Sequence, residues 1–301
     1  MTDDEIIEVS VRCDNILEDV ISLYSSNPHL ALHKLSVSFV GEEGDDFGGF
    51  TKDLFTSFWI AAFKEFFYGE DVVVPSLPLH RSKTDLPKFI MIGRILSHSV
   101  ALTGSFPVQL CMLSIMSSVF GENTFDESDV IENFLLFVTP VERSLLQVAL
   151  SDFASLAADE QERQCDLFQA HGLFDVHRAV CFREHLCTLA EDIFCRLCDT
   201  MHKGVPDLHF AVFWSGLTLP YLKCLYESQR PNGQRLANCL VTDSEAILTR
   251  DQETALYRLR LYVQSLQQEG LETFLFFFTT ASIHMPPDGL KITFNGLTCE
   301  L

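Results

Sequence analysis

Residues 35–66 constrain the fold of this chain more tightly than any other stretch. Leu35, Val37 and Phe39 alternate with Ser36 and Ser38, the period of two that gives a strand one apolar and one polar face. The segment Gly41-Glu42-Glu43-Gly44-Asp45-Asp46-Phe47-Gly48-Gly49 follows, and its four glycines admit positive φ and close backbone approach. From Thr51 the apolar period lengthens to that of a helix, with Leu54, Phe55, Phe58, Trp59, Ala62, Phe63 and Phe66 on one face. The expectation is a half-buried strand, an acidic glycine bend and a buried helix over 51–67. No Lys-Ser or Lys-Thr pair follows the glycines and the bend is itself acidic, which argues against a phosphate cradle. The alternating oxygen ligands and closing Glu of a calcium loop are also missing. Taken by themselves, these residues fit a tight connection with solvated carboxylates.

The chain of 301 residues, 47% hydrophobic, is long enough for about two domains with cores of their own. Its 42 Asp and Glu against 21 Lys and Arg leave a formal charge of -21. Such a surface repels phosphate backbones, which argues against nucleic-acid binding, and steers basic protein partners toward it. Ten cysteines are spread along apolar helical runs, the usage of reduced thiols in cytoplasm or nucleus. Met1-Thr2-Asp3-Asp4-Glu5 has neither the basic nor the apolar region of a signal peptide. The uncharged run 97–121 raises the question of a membrane span, but its serines and the Gly104-to-Pro107 break fit two buried helices better.

Along the chain, Ile16, Leu17, Val20, Ile21 and Tyr24 predict a helix over 5–24 that stops at Asn27-Pro28. Pro75, Pro78 and Pro87 predict a loop over 69–87, followed by apolar helices from 86 to 121. Thr139-Pro140-Val141-Glu142 reads as a capping box with Pro at the first helical position. It opens a long helix that fades through 159–163 toward Gly172. Another helix covers 176–202 and ends at Lys203-Gly204. Phe213 to Leu217 begins a further unit, which Arg230-Pro231-Asn232-Gly233 interrupts. A hinge is expected at 236–248. Beyond it, Thr249 and Gln252 cap a helix carrying Leu256, Leu259, Val263 and Leu266. An apolar run over 271–278 follows, and Leu290, Ile292 and Phe294 alternate as a closing strand.

Two strings carry a family resemblance. Phe39, Gly41-Glu42-Glu43-Gly44, Asp46-Phe47-Gly48-Gly49 and Lys52-Asp53-Leu54-Phe55 resemble the N-lobe signature of HECT-type ubiquitin-protein ligases, with Lys52 and Asp53 where the family has Arg and Glu. Gly93-Arg94-Ile95-Leu96 and Val100-Ala101-Leu102 are similar to its next N-lobe element. Phe278-Thr279-Thr280-Ala281-Ser282, Pro286 and Gly289-Leu290 resemble the C-lobe motif, with Ala281 in place of a usual Gly. The resemblance covers nearly the whole chain and is weak over 125–210. It implies an α+β, mainly helical, bilobal fold. A large N-lobe would occupy 1–240, with a conjugating-enzyme-binding subdomain at about 125–205, and a truncated C-lobe would occupy 241–301.

The same resemblance implies transfer of ubiquitin from a conjugating enzyme to a cysteine thiol and on to a substrate lysine. That chemistry needs an accessible, reactive thiolate. The family places its cysteine in a Leu-Pro-x-x-x-Thr-Cys stretch, and Thr298-Cys299 supplies the last dyad without the Leu-Pro. Cys299 is therefore the candidate catalytic residue. Glu300 beside it and the chain-terminal carboxylate raise its pKa. Expected partners are a conjugating enzyme, ubiquitin and a protein substrate, with no nucleic acid, membrane, cofactor or metal. The alternative functions are a catalytically inactive binding module for a conjugating enzyme, and an acidic helical interaction protein that keeps only the fold.

Cys181, His185, Cys187, Cys195, Cys198 and His202 include zinc-like spacing. Leu186, Leu189, Ile193, Leu197 and Met201 favour a buried helix there instead, since cysteine packs as a small hydrophobe. His98, on an apolar helix, reads as a satisfied core residue, and His284, which stands where some relatives carry Arg, reads as a surface residue.

Overall fold

The computed structural model describes residues 6–41, 48–104, 106–121, 125–153, 156–170, 182–205, 218–242, 248–279 and 290–293. It is α+β and mainly helical. Instead of a helix from residue 5, Ile6–Val11 forms strand β1, and helix α1 runs over Ile16–Ser26. The segment Ile6-Ile7-Glu8-Val9-Ser10-Val11 alternates and is β-branched at its apolar positions, which suits a pleated surface. β1 pairs in parallel with β2 (Lys34–Phe39) in the register Ile7↔Leu35, Val9↔Val37, Val11↔Phe39. That register puts both apolar rows on one face, where Val9, Val11, Val37 and Phe39 are buried. Because parallel strands need a crossover, α1 lies between them as the helix of a βαβ unit.

β2 leads through the bend into α2 (Gly49–Phe66). Gly41 (φ +92°) and Gly48 (φ +94°) are left-handed at the two ends of the bend, a conformation that a side chain resists. α2 buries Leu54, Phe55, Phe58, Trp59, Ala62 and Phe66, the face expected from the spacing.

The loop expected over 69–87 is also corrected. Phe67–Gly69 (β3) and Val73–Pro75 (β4) form a short antiparallel hairpin. α3 begins at Ser82 and runs to Thr103 with Pro87 inside it. Pro87 lies in the second turn, so only the Lys83 carbonyl loses its helical donor, and Lys83 is exposed to water. Gly104 (φ +66°) stops α3, and its N–H donates to the Val100 carbonyl. α4 (Met112–Ile115) continues into a π turn over Met116–Phe120. Among the described residues no helix is long and apolar enough to cross a membrane.

α5 (Glu127–Phe137) precedes the capping box, in which the Glu142 N–H donates to Thr139 Oγ1 and the Thr139 N–H to Glu142 Oε2. The helix it opens, α6 (Pro140–Asp152), is shorter than expected, and α7 (Ala158–Ala170) is separate. Glu160 starts the new helix by accepting the Ala157 N–H at 3.0 Å. Thr139→Ala will lower stability by about 1 kcal/mol, read as a fall in the urea midpoint at unchanged slope.

The helix expected over 176–202 is broken into α8 (Phe182–Cys195) and α9 (Cys198–His202), with the start of that range outside the described residues. Leu197 sits at the break with φ +66°, the one non-glycine residue with positive φ among those described. α9 and the turn after it lie against α3 with backbones almost touching: Met201 faces Gly93 and Ile90 faces Gly204. The expected unit at Phe213–Leu217 lies outside the described residues. α10 (Leu219–Gln229) and α11 (Gly233–Cys239) follow, then β5 (Leu240–Val241), α12 (Arg250–Ser265), α13 (Gln268–Thr279) and β6 (Leu290–Lys291). Thr249 and Gln252 form the expected capping box. β5 and β6 pair in parallel, Leu240↔Leu290. The expected strand residue Phe294 lies outside the described residues.

Two hydrophobic cores result. The larger extends from Val9 to Tyr226, and the smaller gathers Leu236, Leu240, Leu256, Val263, Leu271, Phe274 and Leu275. The core changes over between Tyr226 and Leu236.

Candidate functional site

Among α1, α2 and α3 lies a buried polar chain. Tyr24 on α1 and His98 on α3 are 1% and 0% exposed. Tyr24 Oη lies 2.6 Å from His98 Nδ1, and His98 Nε2 lies 2.8 Å from the His33 carbonyl oxygen. A carbonyl only accepts, so Nε2 carries the proton, and Nδ1 of the neutral ring accepts from the phenol. Burial pushes the His98 pKa down to about 4 and raises that of Tyr24. His98 is thus the satisfied core histidine that its apolar helix predicts. Arg94 Nη1 adds a bond to the Tyr24 carbonyl at 3.0 Å, and Trp59 Nε1 donates to Ser99 Oγ at 3.3 Å. The gap between α2 and α3 beside Lys52, Trp59 and Gln109 holds about 20 Å³, room for one water rather than a ligand.

Cys299, the candidate nucleophile, lies outside the described residues, as do Thr298, Cys181 and His284. The thiols of the supposed zinc spacing are held in other ways. Cys198 is fully buried and donates to the Phe194 carbonyl at 3.1 Å, and burial pushes its pKa up to about 12. Its helix partner His202 has Nδ1 2.8 Å from the Ser118 carbonyl. Burial raises the Cys195 pKa and pushes those of Cys111 and Cys187 up to about 11. Among the described residues no group of three or more His, Cys, Asp or Glu is placed to hold a metal ion. These four thiols are therefore poorly suited to nucleophilic work at neutral pH.

Where the chain leaves the larger core an open cleft of about 360 Å³ is lined by Met112, Leu136, Tyr226 and Pro231 together with Glu132, Lys223, Arg230 and Arg235, among others. Its cations are already engaged. Lys223 pairs with the buried Asp129 at 2.6 Å, Arg230 Nη2 donates to the Val108 carbonyl at 3.1 Å, and Arg235 caps the end of α10 through the Glu227 and Ser228 carbonyls. Tyr226 Oη reaches the Leu110 carbonyl at 2.7 Å. These bonds fasten the last helix of the large core where the chain leaves it. Sequence reading saw Arg230-Pro231-Asn232-Gly233 only as an interruption. The anchoring partners, Val108 and Leu110, are more than a hundred residues away and carry no local signal.

Compared with models of known protein families the chain matches none, and no curated protein sequence matches it.

Proposed function

We propose that this chain is a HECT-like module of the ubiquitin-conjugation pathway, acting in cytoplasm or nucleus. In this reading residues 1–240 form the N-lobe, with the conjugating-enzyme-binding subdomain at 125–205, and residues 241–301 belong to the C-lobe. The Cys299 thiolate attacks the thioester carbonyl carbon on the conjugating enzyme and expels that enzyme's thiolate. A substrate lysine amine then attacks the new thioester, forming an isopeptide bond and releasing Cys299. The observation that carries the reading is the succession of β2, left-handed Gly41 and Gly48 on either side of the acidic segment, and the aromatic-faced α2. The presence of two cores supports the two-lobed part of the reading, although the smaller core already includes Leu236 and Leu240, ahead of the 240/241 boundary.

Incubating the full chain with activating enzyme, a panel of conjugating enzymes and labelled ubiquitin is expected to give a reductant-sensitive adduct. Cys299→Ala should abolish it. An adduct that persists in this variant excludes Cys299 as the acceptor.

A second reading, the catalytically inactive binding module, is favoured by the thiols. Four of those described are raised in pKa by burial, and Glu300 adjoins Cys299. Here the full chain captures a conjugating enzyme with equal affinity in wild type and Cys299→Ala, and no adduct forms in either. Failure of both capture and adduct formation across the panel would end both readings.

A further inference from the structure

Among the described residues the smaller core presents one open apolar face. A groove of about 600 Å³ between α12 and α13 is lined by Leu259, Tyr262, Leu266, Phe274, Phe277 and Phe278, together with Gly270 and Thr273. Among the described residues no charged side chain lines it. Tyr262 is 57% exposed, Phe277 75% and Phe278 47%. Phe278 stacks on the largely buried Phe274, with centroids 4.4 Å apart and planes at 32°, so part of the aromatic wall is fixed. Phe277 meets the Phe278 ring edge-on, with centroids 5.3 Å apart, and its exposed side projects beside an apolar recess.

Charge decides which occupant fits. Residues 1–232 hold 34 Asp and Glu against 16 Lys and Arg, a net of -18, whereas residues 233–301 hold 8 against 5, a net of -3. A basic partner is drawn to the large unit, not to this groove. Two copies meeting through their large units bring together net charges of -18, whereas the smaller units carry only -3 each. A knob beside a recess is also self-complementary under a two-fold axis, as an isologous contact requires. We propose that this groove is a homodimer interface, with Phe277 of each copy seated in the recess of the other. The three exposed aromatics offer on the order of 400 Å² per copy. That places the pair below the roughly 1,200 Å² of standard stable interfaces and makes the dimer weak, with Kd on the order of tens of micromolar.

Sedimentation velocity of the full chain from about 1 to about 300 μM tests this. Wild type is expected to shift from monomer to dimer over that range. Association should strengthen with added salt, because salt screens repulsion between the acidic units and leaves apolar contact intact. Phe277→Glu should raise the dimer Kd at least about tenfold with an unchanged urea midpoint, since the side chain is mostly exposed. Tyr262→Glu, on the opposite wall, serves as the second variant and should do the same. A wild-type monomer throughout, a dimer unaffected by either substitution, or association that weakens with salt would overturn the proposal.

Discussion

Replacing Gly93 with alanine will destabilise the large core by at least about 3 kcal/mol, enough to cost most of the soluble protein. In an ordinary helix interior the same change is favourable by up to about 1 kcal/mol. Geometry reverses the sign. A Cβ at Gly93 would overlap the Met201 carbonyl oxygen and lie 2.8 Å from its carbon, and one at Gly204 would overlap the Ile90 carbonyl oxygen and lie 3.0 Å from the Arg94 nitrogen. Each obstacle is backbone, so no rotamer change relieves it, and α3 and α9 must separate. α9 ties the helices of the 125–205 region to α3. Phe89, Ile92, Leu96 and Met201 are buried around the contact, so separation opens apolar surface as well as removing it. Gly104→Ala is the control. Gly104 has φ +66° and open space around its Cβ, so it pays only the left-handed strain of about 1–2 kcal/mol. Urea denaturation of both variants makes the comparison. If Gly93→Ala lies within about 1 kcal/mol of wild type, the backbones are not in contact, because overpacking of this kind costs more than that.

This pair of glycines also shows where reading by sequence stops. Gly204 is legible as a helix stop and Gly93 as one residue of an N-lobe-like string, since those are local signals. Nothing local says that they face each other. The same contact explains Leu197. A helix through 182–202 follows from its spacing, but α9 reaches α3 only if the chain turns after Arg196, and a leucine accepts the left-handed conformation that tertiary packing imposes. The capping boxes at Thr139 and Thr249, the face of α2 and the stop at Gly104 were legible because each is fixed within a few residues. β1 was not. Its six alternating residues adjoin a strong helical pattern, and their strand identity depends on parallel pairing with residues almost thirty positions away. The candidate site divides similarly. His98 was readable as a core residue, but its partners Tyr24 and His33 come from another helix and a distant loop.

Those partners make a pH dependence that a single substitution will remove. Between about pH 6.5 and pH 4, wild type is expected to lose on the order of 3 kcal/mol of stability relative to His98→Gln. The sign follows from which state binds the proton. Unfolded His98 titrates near its ordinary value of 6.5, whereas burial lowers the folded value to about 4. In that window the unfolded chain takes up a proton that the native chain refuses, so the stabilisation is full above 6.5 and drains away as pH falls toward 4. The hydrogen bonds enforce the refusal. Protonated Nδ1 would become a donor facing Tyr24 Oη, and the phenol, buried and raised in pKa, would have to turn away from the one acceptor it meets. The chain's net charge of -21 pulls in the opposite direction, because protonating surface carboxylates relieves their mutual repulsion. Wild type alone therefore gives an ambiguous slope, and the difference between wild type and His98→Gln isolates the ring. Urea midpoints measured at half-unit steps of pH should diverge as acid is added, with the variant gaining on wild type. Parallel profiles would mean that His98 titrates normally in the folded chain and that the Tyr24–His98–His33 relay does not hold the neutral ring.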